Sequence, residues 1–452
     1  MENLKIVILA WWYGTRLRPL SRKSSPKQFT KLREFSWKSL FQMTLERAVL
    51  LTDIKNIFVV TAKDIYFHTE IQSKEINLEI PKENYILQPM MKETLPIISL
   101  ATKKIWLWNI LVMPSDHIID DTEKFRDTIN SWENLLKKSI VIFWIKTNKA
   151  EIAYWYIEKE DREKNVSKVK SCHEKPDKEK AKKFIEKWFL WNSWVFLYDS
   201  SFFWKEIENI NKKMKNLFFD GKKSDEEIFE EVEAVSIDVW LLEKSKNITS
   251  IDLNIYRNDV WSFDAIWEYL EKKEIKNDKV ILEWDCKNNL VLAESRNKEI
   301  ALIDVSNLVV IDHEDVILIS KKGSTQKVKK IIKKSKNLIW ITEYRPWWKF
   351  RILEIWDWYK TKNITVLPWK KISLQMHNRR SEHWVVVFWK AKICIWEQEK
   401  ILEKWESVFV PIWTKHRLEN PWNIPLIIIE SQIWDYLEED DIIRFQDDYW
   451  RK

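Results

Sequence analysis

The chain has 452 residues, and its 76 Lys and Arg against 69 Asp and Glu leave a formal net charge of +7. So mild an excess over so long a chain does not indicate a nucleic-acid partner, and 45% hydrophobic residues exclude disorder as a description of the whole. Three cysteines, Cys172, Cys286 and Cys394, lie far apart with no Cys-x-x-Cys pair, which excludes a disulfide framework and a finger-type thiolate zinc site.

The first predicted element is Leu4 to Ala10 (LKIVILA), a continuous apolar run with the length and β-branched content of a buried parallel strand. It is too short to span a membrane, and Arg16 and Arg18 follow where a cleaved leader needs small residues. A cytoplasmic protein with no membrane partner is expected. Trp11-Trp12 come next, between the strand and a turn, and they bring up an abnormal count: the chain has 3 Gly and 30 Trp. Ordinary usage predicts roughly 32 Gly in a chain of this length, and the two counts together make 33. Tryptophan also stands where turns favour glycine, at Pro368-Trp369, Trp405-Glu406 and Pro421-Trp422. Most of these tryptophans are read as glycine, encoded by UGA in a bacterial lineage that assigns the codon to glycine. The alternative is a truly Trp-rich protein, with bulky side chains at turns that require positive φ.

Strands are predicted again at Ile57 to Thr61 and Ile110 to Met113, with amphipathic helices at Ser39 to Leu51 and Thr94 to Ile105. Strands alternating with helices imply an α/β sheet, and the pattern runs to about residue 275. From Lys279 to Ser320 the pieces are short and strand-like. Lys321 to Lys336 then carries eight Lys in sixteen residues. A polyanion patch is one reading of that run, but Val328, Ile331 and Ile332 give it an apolar face, which favours a solvated helix. From about Thr342 onward short strands and frequent turn signals describe a small all-β barrel or jelly roll. The expected domains are 1–275, a β-rich connector at 276–338, and 339–452.

With glycine at 11 and 12, Ile8 to Phe29 reads ILAGGYGTRLRPLSRKSSPKQF. A Gly-rich turn directly after a strand lets backbone N–H groups close on a phosphate, and Arg16 and Lys27 add positive charge to the same loop. A Gly-rich loop alone is a weak signal. The full string GG-x-GTRL-x-PLSR-x-x-x-PKQF is the signature of sugar-nucleotide pyrophosphorylases, and here it resembles the mannose-1-phosphate guanylyltransferase branch. The resemblance implies a Rossmann-like, GT-A-like nucleotidyltransferase domain. Its nucleotide contacts would be Trp11, Trp12, Gly14, Thr15 and Gln88, and its catalytic residues Arg16, Lys27 and Lys175. MPSDHI and NDVGS imply Asp116 and Asp259 as ligands of Mg²⁺, EKP implies Glu174 and Lys175 on the sugar phosphate, and WNSG adds Asn192. In the last motif Trp191 reads as a true tryptophan and Trp194 as a glycine. Two carboxylates from distant strand ends suit Mg²⁺, although Asp116 taken alone reads equally as a turn or helix cap. Arg18, Gln88, Lys92-Glu93 and Ile152-Ala153 depart from the usual residues of that branch.

Three of the seven histidines, His377, His383 and His416, fall within forty residues of one another in the β-rich end. Gln375 and His377 stand at i and i+2 of one predicted strand and project to one face; Glu382 follows after a polar turn, and His416 arrives from a second segment. PGKKISLQMHNRRSEHWVVVFG and GESVFVPIGTKHRLEN, read with glycine for tryptophan at their turns, fit the two-part cupin motif. Gln375, His377, Glu382 and His416 would hold Zn²⁺ or another divalent metal in a cupin β-barrel. The bland reading is surface histidines on a small barrel. This half resembles the isomerase domain of enzymes that fuse mannose-6-phosphate isomerase to mannose-1-phosphate guanylyltransferase, including YRPW at 344–347 and DDIIRFQDDYWR near the end. The resemblance covers essentially the whole chain, and its connector is β-helix-like. Arg379 stands where many relatives have a second His; Arg380 and Arg417 are candidates for the substrate phosphate.

The expected function is a guanylyltransferase that makes GDP-mannose and diphosphate from GTP and mannose 1-phosphate, joined to an isomerase acting on mannose 6-phosphate and fructose 6-phosphate. The alternatives are a transferase with a structural or sugar-sensing cupin, and a nucleotide-sugar-binding regulator without catalysis. A homodimer is compatible with the sequence, which does not fix the oligomeric state.

Overall fold

The computed structural model describes residues 3–12, 14, 17–22, 25–130, 135–147, 150–152, 154–161, 163–253, 255–260, 262–275, 280–293, 299–313, 316–332, 341–345, 347–434 and 436–446. Two compact units divide the chain: residues 1–278 with 321–326, and residues 279–320 with 327–452. No helix among the described residues is long and apolar enough to cross a membrane.

The first unit is built on a nine-stranded sheet. Its strands are β1 (Leu4–Leu9), β2 (Ile57–Ala62), β3 (Tyr85–Gln88), β4 (Asn109–Pro114), β6 (Ile140–Ile145), β7 (Tyr156–Lys159), β8 (Val166–His173), β9 (Leu190–Asp199) and β10 (Ile248–Asp252), in the order β3-β2-β1-β4-β9-β6-β10-β8-β7. Two short strands, β5 (His117–Ile119) and β11 (Arg257–Asp259), pair with each other outside it. β1, β2, β3 and β4 run parallel, so helical crossovers join them: Leu40–Val49, Tyr66–Glu75 and Thr94–Lys104. Both faces of β1 are therefore covered. Val7 and Leu9 pack into one core while Leu4, Ile6 and Ile8 pack into the other, which is why its sequence is apolar without alternation. The helix Leu40–Val49 begins where Ser39 accepts from Gln42 N and the Gln42 side chain returns to Ser39 N, a reciprocal cap. After β1 the chain first builds outward through β2 and β3, then returns to place β4 on the other side. Such a reversal leaves a crevice at the carboxyl ends of β1 and β4.

In the second unit, parallel pairs stack at a spacing of nineteen to twenty residues: Val280–Trp284 on Ile300–Ile303, and Leu290–Ala293 on Leu308–His313. Val291, Leu302 and Val310 fill this small β-helix, and Asn288 Nδ2 donates to Asn307 Oδ1 across one coil at 2.5 Å. Of the lysine-rich run, the helical part among the described residues is Val328–Ile332. Two six-stranded sheets then form the barrel. One orders Thr342–Tyr344, Trp348–Trp356, Tyr359–Val366, Leu426–Ile433, Ser381–Phe388 and Ser407–Val410; the other contains Gln398–Leu402, Ala391–Ile395, His416–Asn420, Leu374–His377 and Ile442–Gln446. The chain is thus an α/β domain, a small β-helix and a two-sheet β-barrel.

Seventeen non-glycine residues among those described have positive φ, and eight of them are tryptophan: Trp37, Trp188, Trp194, Trp369, Trp389, Trp396, Trp405 and Trp413. An L-residue with a bulky side chain is the least suited to that region, so the concentration is a property of the sequence, not of its turns. Trp11, Trp12 and Trp422 are not in this set.

Candidate active sites

The loop after β1 and the end of β4 make the first site. β1 and β4 pair up to Leu9 opposite Pro114, and Ser115 N donates to Leu9 O at 3.0 Å, so Asp116 emerges beside the Trp11-Trp12 turn. Lys27 reaches in from the same loop. Its Nζ lies 2.6 Å from Asp116 Oδ2 and donates to Val260 O at 3.1 Å, with both side chains of the ion pair buried. Gly14 is what lets Lys27 pass: at φ +54° a Cβ there would stand 2.8 Å from Lys27 Cγ. β5 and β11 pair antiparallel with His117 opposite Asp259, which brings the Asp259 backbone next to the Asp116 segment. The Asp259 side chain, and Thr15 and Arg16 altogether, lie outside the described residues.

Asp116 is 4% exposed, and its Oδ1 has no hydrogen-bond partner among the described residues, His117 Nε2 standing 3.6 Å away. A buried carboxylate oxygen left bare is costly unless something binds it, and a hard cation is what its chemistry fits. Trp12 crowds the same place: its Nε1 donates to Asp116 Oδ2 at 3.2 Å, and its ring packs edge-on to Trp11 at 5.0 Å and Trp194 at 6.2 Å. Gln88 ends β3 and is buried, its amide 3.5 Å from Lys92 O.

The other sequence-predicted residues of this unit gather at the end of β8 and on β9. Lys175 Nζ lies 3.1 Å from Glu174 Oε1, both side chains partly exposed, and Lys175 has φ +33°. Asn192 Nδ2 points to Asp238 Oδ1 at 3.4 Å while its Oδ1 accepts from Trp194 N at 3.0 Å. The sequence reading missed Asp238. It is fully buried, and burial, then the charge of Glu174, push its carboxyl well above the usual range against the pull of Lys175. Nothing local in VSIDVW marks it as more than a helix-start aspartate.

The second site lies inside the barrel. His377, Glu382 and His416 are all buried, with ligand atoms within 4.8 Å of one another. His377 Nε2 is 2.9 Å and His416 Nε2 is 3.6 Å from the two oxygens of Glu382. Strand Leu374–His377 lies against His416–Asn420 with Gln375 opposite His416, and the Gln375 amide nitrogen is 3.5 Å from His416 Nε2. His416 Nδ1 faces Thr414 O at 2.8 Å, which leaves Nε2 toward the cluster. Burial lowers the imidazole of His416 despite Glu382 nearby, a shift toward the neutral form that a metal requires. Burial alone would raise the Glu382 carboxyl, yet His377, His416 and Arg380 together hold it well below the ordinary range. Two imidazoles, a carboxylate and a neighbouring amide fit a divalent transition-type ion.

The two arginines expected on a phosphate are placed differently from each other. Arg380 is buried, its Nε 3.4 Å from Glu382 Oε1 and its Nη1 donating to Glu438 O at 2.8 Å. Arg417 follows His416 on a strand, so it faces the other way, and its Nη1 donates to Gln446 Oε1 at 3.2 Å. Arg379 lies over the Tyr436 ring at 4.7 Å, and its backbone N–H donates to Asp441. Sequence reasoning also missed Trp384, Glu430, Gln432 and Lys362, all buried at inward positions of alternating strands. Burial and the charge of Glu382 push the Glu430 carboxyl up to about 8, with Lys362 and Arg380 opposing. YKTKNITV and IIIESQI are polar on both strand faces over 360–363 and 430–432, so residue type alone does not show which side chains turn inward.

Comparison with known proteins gives three family models in chain order. Residues 5–275 match the nucleotidyl transferase model, 279–334 the MannoseP isomerase/GMP-like beta-helix domain, and 332–447 the mannose-6-phosphate isomerase C-terminal domain. Similar curated proteins include mannose-1-phosphate guanylyltransferase 2 of Escherichia coli O157:H7, 32% identical over 98% of each chain. The alginate biosynthesis protein AlgA of Pseudomonas putida is 31% identical over 98% of this chain and 96% of its own. The xanthan biosynthesis protein XanB of Xanthomonas campestris is 30% identical over the whole of both. Among solved structures, a protein of Thermus thermophilus titled mannose-1-phosphate geranyltransferase superposes with a TM-score of 0.62 at 22% identity, over 74% of this chain and 100% of its own, which shows a shared fold.

Proposed function

Since the chain belongs to the family in which a mannose-1-phosphate guanylyltransferase is fused to a mannose-6-phosphate isomerase domain, we propose that its first unit makes GDP-mannose and diphosphate from GTP and mannose 1-phosphate, and that its barrel interconverts fructose 6-phosphate and mannose 6-phosphate. The observation that carries the first half is the buried Asp116 with one oxygen bare, set beside the loop after β1 and a buried lysine.

In this reading Glu174, Lys175 and Asn192 hold mannose 1-phosphate so that a phosphate oxygen lies in line with the α-phosphorus of GTP. The new bond to that phosphorus forms as its bond to the β-bridging oxygen breaks, and diphosphate leaves. Lys27 and Arg16 offset the charge that develops on the phosphate oxygens, while the backbone of the loop through Gly14 and Thr15 cradles the triphosphate. Mg²⁺ held by Asp116 and Asp259 would supply further charge neutralisation there. Gln88 belongs to the nucleotide side of the cleft. In the barrel, Gln375, His377, Glu382 and His416 would hold a divalent ion, Zn²⁺ being one that suits them, which would polarise the carbonyl and adjacent hydroxyl of the hexose phosphate. A cytoplasmic location and a role in polysaccharide precursor supply belong to the same reading.

This function needs the loop after β1 open, whereas the indoles of Trp11, Trp12 and Trp194 pack against one another there and Trp12 caps Asp116. The working protein in this reading therefore carries glycine at those three positions. The test is diphosphate release from GTP and mannose 1-phosphate by the glycine form. Absence of release at saturating Mg²⁺ would reject the assignment.

A second reading keeps the transferase and makes the barrel structural or sugar-sensing. It is favoured by Arg380 being committed to Glu382 and Glu438 and by Arg417 facing away from the cluster. Conversion of fructose 6-phosphate to mannose 6-phosphate by metal-loaded protein decides between the two.

A further inference from the structure

Three neighbouring strands of the barrel, Tyr359–Val366, Leu426–Ile433 and Ser381–Phe388, align their inward side chains in rows. Lys362, Glu430 and Trp384 face one another across one row; Lys360, Gln432 and Glu382 across the next. All six are buried, none more than 6% exposed. Within the rows two donors serve two carboxylates. Trp384 Nε1 donates to Glu382 Oε2 and to Glu430 Oε1, each at 3.2 Å. Gln432 Nε2 donates to Glu382 Oε1 at 3.2 Å and to Glu430 Oε2 at 2.9 Å. Lys362 Nζ lies 3.9 Å from Glu430 Oε2, and above about pH 8 the ionised Glu430 accepts at both oxygens.

An indole N–H and an amide N–H can point anywhere their rotamers allow. Here a second acceptor fixes both. Glu430 accepts from both the Trp384 indole and the Gln432 amide, and each oxygen of Glu382 receives one of them. A carboxylate held at both oxygens cannot turn about its last bond, which is the freedom a metal-binding carboxylate must give up. Resting on the metal reading of the barrel given above, we propose that Glu430 is a positioning residue of that site: through the shared donors Trp384 and Gln432 it orients Glu382 to bind a divalent ion with His377 and His416.

The test uses full-length glycine-form protein stripped of metal, with Zn²⁺ affinity measured by competition with a chromophoric chelator and ligand geometry read from the visible d–d bands of the Co²⁺ form. Glu430→Gln leaves one acceptor oxygen where two are used, so position 430 can hold either the Trp384 indole or the Gln432 amide but not both. Gln432→Met removes one shared donor without leaving a buried charge, and serves if the first variant fails to fold. The expected result in either is 10- to 100-fold weaker Zn²⁺ binding and shifted Co²⁺ bands, with diphosphate release by the first unit unchanged. Glu430→Asp, which keeps the acceptor, should recover part of the affinity. Wild-type binding matched within twofold by both variants, with unaltered Co²⁺ bands, would overturn the role of Glu430 while leaving the metal site standing. Wild-type protein that takes up no metal would overturn the metal reading and this proposal with it.

Discussion

Replacing Trp37, Trp188, Trp194, Trp369, Trp389, Trp396, Trp405 and Trp413 together by glycine should make the protein markedly more stable, the reverse of what loss of eight large aromatic side chains ordinarily does. All eight have positive φ, and for an L-residue the left-handed region costs roughly 1–2 kcal/mol. Glycine gives back part of that relief through the extra freedom of its unfolded chain, leaving about 1 kcal/mol per site. Little packing is lost in exchange, since Trp188, Trp369 and Trp405 are 76%, 69% and 74% exposed and only Trp194 stands in a core. Eight sites amount to roughly 8 kcal/mol, as large as a typical whole margin of ~5–15 kcal/mol. The effect should also be uneven. Five of the eight lie in the barrel, so the unit formed by residues 279–320 and 327–452 should gain about 5 kcal/mol, or roughly 10–20 °C at ~2–4 °C per kcal/mol. Scanning calorimetry of both forms reads this directly. Trp384→Gly is the control: its ring is buried in a strand and donates two hydrogen bonds, so that change should destabilise by ~3–5 kcal/mol. An eight-glycine form no more stable than the tryptophan form would show that these side chains are native to their turns, and the intact mass of the natural protein would confirm it.

Asp116→Asn should abolish diphosphate release while leaving barrel metal content unchanged; residual activity near the parent rate with Mg²⁺ would remove Asp116 from the site. His416→Ala should empty the barrel of metal and end sugar isomerisation without slowing nucleotidyl transfer, and elemental analysis after dialysis distinguishes that from a folding defect. Gly14→Ala should lower transferase kcat at least tenfold, because the added Cβ meets Lys27 Cγ at 2.8 Å in a backbone already at φ +54°; an unchanged kcat would mean that Lys27 does not take part from its observed position.

Much of the first candidate site was legible because its parts are contiguous strings: PKQF carries Lys27, and MPSDHI carries Asp116 just past the apolar strand Asn109–Pro114. What a string does not show is partnership across the chain. The 2.6 Å approach of Lys27 to Asp116 joins residues 89 apart, and Asn192 meets Asp238 over an interval of 46. Asp238 had no local sign of its role, since an aspartate at a helix start is ordinarily a cap. In the barrel, His377, Glu382 and His416 were readable from spacing, and strand alternation applied one residue further would have turned Arg417 outward. Glu430 and Gln432 were hidden for a different reason. They sit in IIIESQI, where Glu430, Ser431 and Gln432 are polar in succession, so residue type did not show which of them turn inward.

The pairing of β5 with β11 has a consequence for how the protein is made. His117 and Asp259 face each other across that ladder, and the two aspartates proposed to share one cation sit at the start of one strand and the end of the other. A ribosome delivers the first of these segments long before the second. During that interval the newborn chain has its sheet edge and the loop after β1 but one of the two aspartates proposed for the cation, and contacts of such long sequence separation form slowly. Fragments that stop short of residue 259, whether from stalled synthesis or proteolysis, would lack the second of the two proposed aspartates. If these two aspartates share the cation, competence waits for the last strand of the unit to close the ladder.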